Sequence, residues 1–97
     1  MPNDQAYYES WLRSLEFQEV ELTKLLDLYG AFLEQCREYI LDMKAEGDLE
    51  DFLLGNAILQ EIHHSKVYNQ YQSELEEIRL DRSHAEFMIA LFKRSQP

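Results

Sequence analysis

Between Pro2 and Pro97 the chain carries no proline, and its one convincing break is the stretch Lys44-Ala45-Glu46-Gly47-Asp48-Leu49-Glu50-Asp51. Without an interior proline, no backbone donor is lost and no ring blocks a helix anywhere between the ends. Gly47 is suited to the left-handed conformation that terminates a helix, and Lys44 places a cation in the turn before it, where the dipole favours one. Asp48 is a good N-cap, and Glu50 and Asp51 put negative charge into the first turn of a second helix. The break falls near mid-chain. It predicts an all-α fold: an antiparallel hairpin of two long helices forming a single domain over 1–97. The helices are expected at about 5–46 and about 49–93, with the turn at 47.

Apolar spacing supports both helices. In the first half, Trp11, Leu15, Gln18, Leu22, Leu25, Tyr29, Phe32, Cys36, Tyr39 and Met43 recur at intervals of four and three, with only Gln18 polar. A second line beside this seam carries Leu12, Leu26, Leu33 and Ile40, interrupted by Glu19. The apolar face is therefore wider than a two-helix seam needs. Gly30 is expected on the outer side. In the second half the seam runs Leu54, Ala57, Glu61, His64, Tyr68, Tyr71, Leu75, Ile78, Arg82, Ala85, Ile89 and Phe92. Its first turns are apolar almost all round, through Leu49, Phe52, Leu53, Leu54, Ile58, Leu59 and Ile62. A fold at Gly47 would set Tyr29 level with His64, Leu25 with Tyr68, Phe32 with Glu61 and Trp11 with Arg82.

The formal net charge is -10 and 45% of residues are hydrophobic, so the chain is a folding sequence with strong acidity. Acidity argues against binding nucleic acid or an anionic membrane, because phosphate is met by Lys and Arg. The single cysteine, Cys36, excludes an intramolecular disulfide. No apolar run approaches the ~20 residues of a membrane span, and no signal pattern opens the chain. A cytoplasmic protein is expected.

Three constellations bear on chemistry. Glu61 and His64 share one face at i and i+3, as in the Glu-x-x-His pairs of ferritin-like bundles. The seam positions level with them on the first helix are Phe32, Tyr29 and Cys36, none of them a carboxylate. Glu34 and Glu38 fall on the outer side. The plainer reading is a buried His64 bonded to Tyr29 or Glu61 in a polar layer. Cys36 with His63 or His64 has the residue types of a nucleophile and base, but no orienting third group is visible. The tyrosines fit core packing at 29, 39, 68 and 71, and partial exposure at 7 and 8. Arg82 has either Trp11 to stack on or Glu86 to pair with.

Two helices bury little surface alone, so dimerisation into a four-helix bundle is expected. The self-association residues are expected to be Leu49, Phe52, Leu53, Ile58, Leu59 and Ile62, with Leu26, Leu33 and Ile40 opposite. The function expected is that of a non-enzymatic acidic protein–protein interaction module, an adaptor or secretion-type chaperone. Its partners are a second copy of itself and another protein, without a cofactor or bound metal. The alternatives are a ferritin-like metal-binding half-bundle through Glu61 and His64, and an acidic inhibitor that mimics nucleic acid.

Overall fold

The computed structural model describes residues 4–47 and 51–96. It is an all-α helical hairpin of α1, Asp4–Glu46, and α2, Asp51–Arg94. Asp4 stands in the first turn of α1 and Lys44 in its last, each at the end where the dipole stabilises its charge. Gly47 has φ 72, the left-handed value that stops α1. Asn3, Asp48, Leu49 and Glu50 lie outside the described residues. None of the described helices is long and apolar enough to cross a membrane.

The chain packs as two compact units, Lys24–Gln72 and Met1–Thr23 with Ser73–Pro97. The first contains the turn and is called the turn unit; the second is the terminal unit. In the turn unit Leu26, Leu33, Ile40 and Met43 are buried. Tyr29 packs on Tyr68 and Tyr71, with ring centroids 6.5 and 6.3 Å apart. In the terminal unit Leu15, Leu75, Ala85 and Ile89 are buried. There Tyr8 brings its ring to 6.0 Å from both His84 and Phe92.

The seam of α1 differs from the expected one at every second position. Leu15, Leu22, Tyr29, Cys36 and Met43 are buried or half-buried as expected. Between them, however, Gln18, Leu25, Phe32 and Tyr39 are exposed, while Glu19, Leu26, Leu33 and Ile40 turn inward. The apolar face is two lines wide, and one neighbouring helix covers one line. The covered line is aliphatic through Leu26, Leu33 and Ile40, whereas the uncovered one keeps the Tyr39 hydroxyl in water. Tyr39 is thus 61% exposed and not a core residue.

Tyr29 meets His64 as expected, but other pairs across the hairpin are offset, by roughly one helical turn. Tyr68 packs over Gly30, with its ring 3.6 Å from where a β-carbon would sit, rather than level with Leu25. Gly30 is accordingly half-buried and not on the outer side. Glu61 pairs with Arg37 at 3.0 Å rather than facing Phe32. α1 ends at Glu46 and α2 begins at Asp51, so the two helices are not mirrored about Gly47.

Candidate interaction surface

In the turn unit the two flanks of the hairpin have opposite character. One flank is polar. Arg37 reaches from α1 to Glu61, its Nε donating to the carboxylate at 3.0 Å, and a guanidinium nitrogen lies 3.4 Å from the Ser65 hydroxyl. Ser65 also donates to Glu61 at 2.8 Å. The Ser65 hydrogen bond, followed by that of Arg37, holds the Glu61 carboxyl below the ordinary range by stabilising its charged form. One groove on this flank is lined by Leu33, Glu34, Arg37, Ser65, Tyr68 and Asn69, and another by the charged Arg37, Lys44 and Glu61 together with Ile40, Leu41 and Ile58.

The other flank is apolar. Leu25, Leu28, Phe32 and Tyr39 succeed one another at spacings of three, four and seven, so they form one stripe along α1. Leu28 is 72% exposed and Phe32 43%. Beside the stripe runs a groove between the helices, lined by Cys36, Tyr39 and Met43 from α1 and by Leu53, Asn56, Ala57 and Gln60 from α2. Farther round α2 a second apolar patch is made by Phe52, Gly55, Ile58 and Leu59.

Of the expected association residues, Phe52, Leu53, Leu59 and Ile62 are exposed and Ile58 is half-buried. Leu49 lies outside the described residues. Leu26, Leu33 and Ile40 are buried within the turn unit by the hairpin itself, which leaves them little surface to offer a second chain. Sequence reasoning alone does not single out the stripe of Leu25, Leu28, Phe32 and Tyr39. Its signal is the width of the apolar face, because a face two lines wide always leaves one line uncovered.

The Glu61 and His64 side chains have separate partners. His64 Nδ1 is hydrogen-bonded to the Tyr29 hydroxyl, and its ring stands perpendicular to Phe32 with centroids 5.1 Å apart. Glu61 is held by Ser65 and Arg37. Among the described residues no group of three or more His, Cys, Asp or Glu gathers as a metal site would require. In the terminal unit Arg82 takes the ion-pairing option. It reaches both carboxylate oxygens of Glu19, at 3.2 and 3.1 Å, and Glu86 at 3.1 Å. Trp11 packs instead near Tyr7, Tyr8 and His84. Glu19 therefore sits on the seam as half of an ion pair, which explains the polar interruption in its line.

No protein-family model, curated protein or solved structure matches the chain.

Proposed function

We propose that the protein is a non-enzymatic acidic interaction module. Two hairpins assemble into a four-helix bundle, and the bundle serves another protein as an adaptor or chaperone. One observation carries this reading. Among the described residues fifteen large hydrophobic side chains are exposed, against eight hydrophobic residues that are buried. A scatter of exposed apolar groups is ordinary, but stripes of them mark association surfaces.

The test is sedimentation equilibrium on the full chain from ~1 to ~100 μM, with thermal melts across the same range. A particle of twice 11.6 kDa is expected, with a melting temperature that rises with concentration. A monomer whose melting temperature does not change with concentration overturns the reading.

A further inference from the structure

We infer that the apolar flank of the turn unit is the seat of a second copy of this chain, docked about a two-fold axis. The inference rests on the interaction reading above and assigns it a face and an occupant.

Charge selects the face. The positions that make up the apolar stripe and its shoulder on α1 are Leu25, Leu28, Phe32, Gln35 and Tyr39. None is Asp, Glu, Lys or Arg, and Asp42 follows at the end of the shoulder. Across the groove on α2, Leu53, Asn56, Ala57 and Gln60 are likewise uncharged, with His63 beyond them. The opposite flank carries Glu34, Arg37, Lys44 and Glu61. Depletion of charge over a broad apolar patch is the mark of an interface core.

Charge also selects the occupant. The chain has a net charge of -10, so two copies repel wherever acidic surfaces meet. Along the stripe from Leu25 to Tyr39 they meet without carboxylates. A basic partner, by contrast, would find no carboxylate on the stripe to pair with. Shape points the same way. A two-fold interface puts the same patch on both sides, so the patch must be self-complementary. Here a ridge, Leu25–Leu28–Phe32, lies beside a groove, Cys36–Leu53–Gln60, and each copy can seat its ridge in the other's groove. The whole chain, both units together, exposes 7470 Å². A compact monomer of this mass exposes roughly 5,800 Å². The difference exceeds the ~800 Å² that a stable dimer takes from each partner.

The test compares five proteins by sedimentation equilibrium, with circular dichroism to check helicity: wild type, Leu28→Glu, Leu28→Ala, Tyr39→Glu and Leu41→Glu. The three altered residues are 72%, 61% and 64% exposed, so none of the substitutions enters the core of the hairpin. Leu28→Glu and Tyr39→Glu are expected to raise the dimer dissociation constant at least about tenfold, as loss of a central contact does. Leu41→Glu, on the charged flank, is expected to leave it within about threefold. Leu28→Ala, which adds no charge and keeps helix propensity, should weaken the dimer in the same direction. A wild type that stays monomeric overturns both this inference and the reading beneath it. A wild-type dimer that survives Leu28→Glu and Tyr39→Glu, or is broken equally by Leu41→Glu, overturns the face alone.

Discussion

Glu61 accepts hydrogen bonds from Ser65 and Arg37 on the charged flank of the turn unit, and the fold uses it in its ionised form. Its carboxyl is held below the ordinary range, so its contribution to stability is whole above the unfolded-state pKa. That contribution fades as pH falls through the lower folded-state value. Melting curves of wild type and Glu61→Gln should therefore differ at neutral pH and converge in acid. A gap that widens in acid would contradict the assignment. Arg37 is 57% exposed, which keeps the effect small. Ala85 presents the opposite situation. It is fully buried, at 0% exposure, between packed helices. Ala85→Leu adds three carbons where there is no room and should cost about 1–3 kcal/mol in urea denaturation.

Both helices contain a glycine that their interiors do not need. A β-carbon at Gly30 would meet Tyr68 at 3.6 Å, an ordinary contact, and one at Gly55 would meet nothing within 4 Å. Gly30→Ala and Gly55→Ala should each stabilise the hairpin, by about 0.5–1 kcal/mol, because alanine restricts the unfolded chain and favours helix. Gly47→Ala should do the reverse, costing about 1–2 kcal/mol at φ 72. Thermal melts of the three variants provide the contrast; Gly47→Ala melting above wild type would show that the turn does not depend on the left-handed residue. At this scale much is legible in the chain. Four–three spacing and the absence of proline announce both helices, and Gly47 announces the stop. The seam of α1 is legible only as a pair of lines. Which line goes inward depends on the neighbour, and α2 covers Leu26, Leu33 and Ile40 while Leu25, Phe32 and Tyr39 remain outside.

For the molecule as a whole, folding and assembly should respond to different residues. Ile89 is buried in the terminal unit, whereas Leu53 is 47% exposed beside the groove of the turn unit. Ile89→Glu forces a charge into the core and should cost more than about 2 kcal/mol of folding stability. Leu53→Glu should leave the helicity intact and weaken assembly. If Leu53→Glu unfolds the chain while Ile89→Glu only dissociates it, core and association surface have been exchanged. Leu59→Glu and Phe52→Glu examine the second apolar patch on α2 in the same way, and are expected to affect assembly or partner binding before folding.

Helix identity, the position of the first helix stop and the excess of apolar surface are properties of the sequence itself. They arise from local backbone chemistry and from counting apolar positions per turn. The pairing register elsewhere, the inward line of α1 and the partner of Glu61 needed the tertiary structure, whereas the bond of His64 to Tyr29 was already an option in the spacing. A helix presents every one of its faces equally until another helix lies against it. An offset between the two helices gives Glu61 to Arg37, while His64 keeps the Tyr29 partner that the spacing had offered it. The same contact leaves one flank charged and the other bare, because covering one line of a two-line apolar face must expose the other.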